Sequence, residues 1–191
     1  MTRIISGFAG FLTLTVPSSG TRPTSERVRE AIFSSMDARG VLDGARVVDL
    51  YAGSGALGLE AASRGAVHVT LVDKGAPATT ACRKNAAVVQ KAAPRGSKLV
   101  IEVSGSSVQS FLDSPKQPWD VVFIDPPYEL STAEVEQNLA SLVSRLSADA
   151  VVLLERSSRG AAPEWPDGLE LERRKDYGDT SLFWLRPVEA E

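Results

Sequence analysis

From residue 44 onward, short apolar runs alternate with longer stretches of helical period. Arg46-Val47-Val48-Asp49-Leu50-Tyr51 lies between Gly44 and Gly53 and has the near-continuous hydrophobicity of a strand covered on both faces. Ala56 to Arg64 then carries a helical pattern closed by Gly65, and Val67 to Val72 forms the next strand, ending at Asp73. The rhythm continues with a helix from Pro77 to Lys91, a strand from Lys98 to Val103 and a short helix from Ser107 to Leu112. A strand from Trp119 to Ile124, a helix from Thr132 to Leu146 and a strand from Ala150 to Leu154 follow. Leu169 to Arg173 and Ser181 to Leu185 read as two strands around Asp176-Tyr177-Gly178-Asp179, with no helical period between them.

Residues 1–40 have a different character. Residues 3–6 and 11–16 read as the strands of a hairpin turning at 7–10, followed by a loop at Pro17 to Pro23. Thr24 is the expected N-cap of a helix with Glu26 in its first turn, Val28, Ala31, Ile32 and Ser35 on one face, and Gly40 as its stop. The chain thus divides into a hairpin-helix extension over 1–40 and a strand-helix unit over 41–191. Strands separated by helices of this length make right-handed crossovers, so the unit is an α/β fold with a mostly parallel sheet. The last two strands add an antiparallel hairpin at one edge, for seven strands in all.

Composition narrows the function. With 191 residues the chain has room for about one domain with a small extension. One cysteine, Cys82, excludes an internal disulfide framework, and one histidine, His68, leaves no His/Cys zinc set. His68 sits inside a strand-like run, a poor place for the base of a catalytic triad. No apolar run approaches the ~20 residues of a membrane span. The opening segment is broken by Gly7 and Gly10 and does not read as a leader, so a soluble, cytoplasmic protein is expected. The formal net charge of −3 excludes nucleic-acid binding by bulk positive charge. It is unevenly spread, however: residues 1–40 carry +2 and the remainder −5.

Gly53-Ser54-Gly55-Ala56-Leu57-Gly58 fits G-x-G-x-x-G between a strand and a helix, and Asp73 follows twenty positions after Gly53. Glycines let backbone approach a ligand, the helix start offers free N–H groups, and the acid suits ribose hydroxyls. The glycine pattern alone fits a dinucleotide or S-adenosylmethionine. Asp49 lies inside a strand that is apolar throughout in most dinucleotide sites. A carboxylate there suits a ligand bearing an ammonium and a sulfonium, or caps its own loop.

The second loop, Asp125-Pro126-Pro127-Tyr128, ends the fourth strand of the parallel unit. Ligands of open α/β sheets sit beyond the carboxyl ends of the strands, so both loops should face one crevice. Two prolines fix the backbone, allowing the Asp125 carboxylate and the Pro126 carbonyl to present acceptors in a rigid arrangement. Tyr128 adds a flat ring. The set suits an exocyclic base amine, whose lone pair is delocalised until two acceptors on its hydrogens favour a pyramidal nitrogen. The base must leave its helix, or already be unpaired, to stack there.

These stretches resemble the class I S-adenosylmethionine-dependent methyltransferases, and more narrowly the RsmD family, which methylates guanine N2 in 16S ribosomal RNA. The resemblance is carried by Arg3 to Gly7, Thr21 to Phe33, Val48 to Ala61, Asp125 to Tyr128 and Tyr177 to Thr180, with R-P-T-S-E-R-V-R-E-A-I-F the most specific segment. It implies a class I methyltransferase, Rossmann-like sheet and catalytic residues Asp125, Pro126, Pro127 and Tyr128. It implies S-adenosylmethionine held by Asp49, Tyr51, Ala52, Gly53, Ser54, Gly55, Asp73 and Lys74, with adenine at Ser106 and Ser107. Many relatives have an acid where this chain has Ser106. Arg3, Arg22, Arg27 and Arg29 are the expected RNA contacts. The implied partner is 16S ribosomal RNA, alone or within an assembling small ribosomal subunit, met by a monomer. Other readings of the residues are a DNA adenine-N6 or other nucleic-acid amino-methyltransferase and an NAD(P)-binding oxidoreductase. Trp119, Trp165 and Trp184 read as core or edge residues, and Arg173-Arg174-Lys175 as a solvated strand end.

Overall fold

The computed structural model describes residues 2–17, 25–114 and 118–188. Two sheets are present among them. A small antiparallel ribbon joins β1 (Thr2–Arg3) to β2 (Thr13–Leu14). The main sheet has seven strands: β3 (Arg46–Leu50), β4 (His68–Val72), β5 (Val100–Ser104), β6 (Trp119–Ile124), β7 (Leu146–Ser157), β8 (Leu169–Tyr177) and β9 (Thr180–Pro187), in the order β5-β4-β3-β6-β7-β9-β8. Strands β3 to β7 pair in parallel, while β9 runs antiparallel between β7 and β8. The helices are α1 (Glu26–Arg39), α2 (Ala56–Ser63), α3 (Ala76–Ala92), α4 (Val108–Leu112) and α5 (Thr132–Val143).

Strand alternation assigns each face its core. Val47, Val69, Val121, Phe123, Val151 and Leu153 pack with Ile32, Phe33 and Met36 of α1, Leu57 of α2 and Cys82 of α3. Val48, Val122, Ile124, Val152 and Leu154 pack on the other face with Phe111 of α4 and Leu139 of α5. Trp119 and Trp184 are fully buried, and Trp165 packs partly buried against the second core, as expected.

Several boundaries differ from the expected ones for physical reasons. The terminal ribbon has only two residues per strand, since Gly7 at φ 82° and Phe11 at φ 69° open a wide connection. Its turn is pinned from outside: Phe8 N donates to Ser63 O at 3.0 Å and Ala9 N to Ser63 Oγ at 2.9 Å. The expected N-cap Thr24 lies outside the described residues. Ser25 fills that role, its Oγ accepting from Val28 N at 3.2 Å. Helix α5 ends at Val143, because Arg145 O accepts from Trp119 N at 2.7 Å and starts β7 there. Strand β8 runs on to Tyr177 because it pairs with β9 as far as Thr180, and its basic side chains lie over aromatic rings, Arg173 4.9 Å from Trp184 and Arg174 5.3 Å from Phe183. Their heads remain exposed, as expected of a solvated strand.

Candidate active site

The carboxyl ends of β3, β4, β6 and β7 converge on one cleft of about 900 Å³, lined by both loops singled out in the sequence. Gly53 and Asp125 therefore share a cavity. The strand order reverses between β3 and β6, the switch point at which open α/β sheets bind ligands.

One wall is the glycine loop. Tyr51 turns the chain out of β3 at φ 65°, followed by Gly53 at φ 58° and Gly55 at φ 78°. Glycine is required at residue 55 for that conformation, and at residue 58 for packing. A Cβ at Gly58 would stand 2.5 Å from Leu71 Cδ2 and 3.1 Å from Asp49 Cβ, so α2 could not lie this close to the sheet. Asp73 holds the loop from β4: one carboxylate oxygen accepts from Gly53 N at 2.9 Å, the other from Gly75 N at 2.8 Å. Asn85 Nδ2 on α3 donates to Ser54 O at 2.8 Å.

Asp49 is buried at the base of this wall, and its Oδ2 accepts from Gly58 N at 2.9 Å. The loop-capping contact is thus present, and the same residue lines the cleft. Burial pushes its carboxyl up to about 7; Gly58 N–H opposes the shift, and the charges of Asp125 and Asp73 reinforce it. Tyr51 accepts from Asn138 Nδ2 at 2.6 Å, and burial raises its hydroxyl to about 12. Tyr51, Ala52, Ser54 and Lys74 line the cleft with Asp49, Gly53 and Asp73. Gly55 stands behind them, its N donating to Ala52 O at 2.6 Å. Beyond β5 the expected pair separates. Ser107 lines the cleft and caps α4, whereas Ser106 turns its hydroxyl to Ser104 Oγ at 2.9 Å and is not among the lining residues.

The opposite wall is Asp125-Pro126-Pro127-Tyr128, seated by Asp125 N donating to Leu50 O at 3.4 Å and Leu130 N to Pro127 O at 3.0 Å. Pro126 is buried, while Tyr128 is 55% exposed, its ring open at the mouth. A capping box of Ser131 and Glu134 starts α5 directly after this loop.

The expected RNA-contacting arginines are placed unequally. Arg27 is exposed on α1. Arg3 is exposed and paired with Glu26 at 2.9 Å. Arg22 lies outside the described residues. Arg29 does not stand on an open helix face: it is only 3% exposed, with Nη1 donating to Arg3 O at 3.0 Å. Burial lowers its pKa, and Nε has no hydrogen-bond partner in the wall it forms at the cleft. Its register beside Ile32, Phe33 and Met36, rather than its charge, was the signal for this inward placement.

Sequence reasoning also missed residues whose partners are distant backbone groups. Glu60 is fully buried and accepts from Ile5 N at 2.6 Å, Ser6 N at 3.0 Å and Arg64 Nε at 2.7 Å. Asn85 exchanges two hydrogen bonds of 2.8 Å with Thr15 while holding Ser54. Glu155, Tyr177, Asp179 and Thr180 complete the cleft on the β7–β9 side.

A switch-point cleft between a glycine loop and an Asp-Pro-Pro-Tyr turn, on a sheet closed by an antiparallel β9, defines the class I methyltransferase fold. A dinucleotide Rossmann sheet would continue in parallel at that edge. The family model described as Conserved hypothetical protein 95 matches residues 2–186, and the chain belongs to this family, the RsmD family. The chain is 34% identical over 191 residues to "Ribosomal RNA small subunit methyltransferase D" of Escherichia coli strain K12, covering 99% of this chain and 92% of that protein. Among solved structures, Escherichia coli yhhF superposes with a TM-score of 0.83 at 31% identity, covering 97% of each chain. The magnesium protoporphyrin IX methyltransferase of Synechocystis PCC 6803, solved with bound SAM, shares the fold at a TM-score of 0.65, 15% identity and coverage of 88% and 87%.

Proposed function

We propose that this chain transfers a methyl group from S-adenosylmethionine to the exocyclic N2 amine of a guanine in small-subunit (16S) ribosomal RNA. The observation that carries the reading is the single cleft shared by the glycine loop and the Asp125–Tyr128 turn. The ribosomal substrate is supported by the 34% identity to a protein named for that activity.

The donor set fits the cofactor. The buried Asp49 carboxylate, raised to about 7, gains from a cation beside it, and Asp73 keeps lone pairs for ribose hydroxyls while bracing the loop. Ser107, Val108 and Gln109 line the cleft, and in this reading they meet the adenine in place of Ser106. When bound, S-adenosylmethionine supplies an electrophilic methyl on a sulfonium.

Asp125 and the Pro126 carbonyl take the two amine hydrogens and aim the nitrogen lone pair across the cleft. Tyr128 stacks on the base. Attack of this nitrogen on the sulfonium methyl would leave the C–S electron pair on sulfur and a surplus proton on the amine, which Asp125 or water would take. Positioning is the main contribution of these residues. Asp125→Ala should lower turnover on ribosomal RNA about 100-fold or more while leaving S-adenosylhomocysteine binding, read by calorimetry, near the wild-type value. Turnover within a few-fold of wild type would refute the role. Nucleoside mass spectrometry of ribosomal RNA from a deletion strain tests the reaction: it should lose one N2-methylguanosine.

A further inference from the structure

Resting on the guanine-N2 reading above, we propose that Glu155 is the residue that selects guanine over adenine, by accepting from the N1–H beside the reacting amine. Phe123 pairs in parallel with Leu153, and Ile124 with Leu154. Phe123 and Leu153 belong to one core and Ile124 and Leu154 to the other. One residue further on, alternation returns Asp125 and Glu155 to the same face at adjacent strand ends, about 4.8 Å apart along the sheet. Arg156, next in line, points to the opposite face and donates to Leu130 O at 3.1 Å. Asp125 and Glu155 both line the cleft, as do Asp179 and Thr180 of the β8–β9 turn, where Thr180 pairs with Ser157 two residues beyond Glu155.

Two carboxylates side by side match one purine edge and clash with the other. Guanine presents N2–H and N1–H as adjacent donors. With the N2 hydrogens held by Asp125 and the Pro126 carbonyl, N1–H falls to the neighbouring acceptor. Adenine seated with its N6 amine in the same position would turn the N1 lone pair toward Glu155. A carboxylate cannot donate to that lone pair, so adenine would leave two acceptors facing each other in a half-enclosed site. The D-P-P-Y turn serves either amine, and the choice between them falls to the strand beside it.

The test uses the full-length protein and small-subunit ribosomal RNA transcribed in vitro and assembled with small-subunit proteins, carrying G or A at the methylated position. Wild type should methylate the G particle and not the A particle. Glu155→Gln, whose amide can turn either its oxygen or its NH2 to the base, should keep part of the activity on G and gain measurable N6-methyladenosine on A. Glu155→Ala should lose roughly tenfold to a hundredfold on G and, with the facing acceptor gone, narrow the G-to-A ratio. S-adenosylhomocysteine binding equal to wild type confirms that both variants are folded. A G-to-A ratio unchanged in Glu155→Gln, or unchanged activity of Glu155→Ala on G, would overturn the role of Glu155 while leaving the guanine-N2 reading intact. Wild-type particles without N2-methylguanosine would overturn both.

Discussion

Asp49 concentrates the electrostatics of the cleft in one carboxyl. Its ordinary value of 3.8 rises to about 7 because burial penalises the anion more than the Gly58 N–H supports it. Between these values the folded protein binds a proton that the unfolded chain has released, so the unliganded protein loses stability as pH rises through that window. A cationic ligand reverses the preference, because it favours the ionised form. Affinity for S-adenosylmethionine should therefore fall as pH drops below about 7 and level off above it. Asp49→Asn should bind roughly tenfold more weakly at about pH 8 and lose most of the pH dependence in both calorimetry and thermal melts. A wild-type affinity that stays flat from about pH 5 to about pH 8 would contradict the assignment.

At the scale of elements, the extension is fastened to the sheet by polar side chains as well as by its share of the first core. Glu60 on α2 takes two N–H groups from the chain after β1, and Asn85 on α3 ties the end of β2 to the glycine loop. Glu60→Ala would strand those two N–H donors and Arg64 Nε, while the Arg64 guanidinium keeps its pairing with Asp37, at a cost of about 3–5 kcal/mol, read as a lower midpoint in thermal unfolding. A midpoint within about 1 °C of wild type would show that the extension docks without it. Neither residue was legible in the sequence, because 55 and 70 residues separate them from their partners and a lone polar side chain on a helix reads as solvent-facing. The parallel strands, Asp49, Asp73 and the Asp-Pro-Pro-Tyr turn were legible, since period and punctuation are local signals. Ser106 and Arg29 mark the limit: their residue types fit a ligand role, but a neighbouring serine and the packing stripe of α1 decide where their side chains go.

Over the whole molecule, charge separates the two substrates. The cleft is lined by Asp49, Asp73, Asp125, Glu129, Glu134, Glu155 and Asp179 against Arg29 and Lys74, and this acidic excess favours a cation and opposes phosphate. An RNA strand can therefore deliver a base into this cavity only if its backbone is held outside it. The net +2 of residues 1–40, against −5 elsewhere, is the reason to propose the extension as that hold. Arg3 spends part of its charge on Glu26, so the exposed Arg27 is the cleaner probe. Arg27→Glu should weaken binding of small-subunit ribosomal RNA several-fold at low salt. It should reduce the slope of log affinity against log salt by about 1, with S-adenosylhomocysteine binding unchanged. Should affinity and slope both stay at wild type, the backbone must approach from elsewhere. The exposed Arg173-Arg174-Lys175 edge of β8, which runs toward Tyr177 at the cleft, would then be the next surface to reverse in charge.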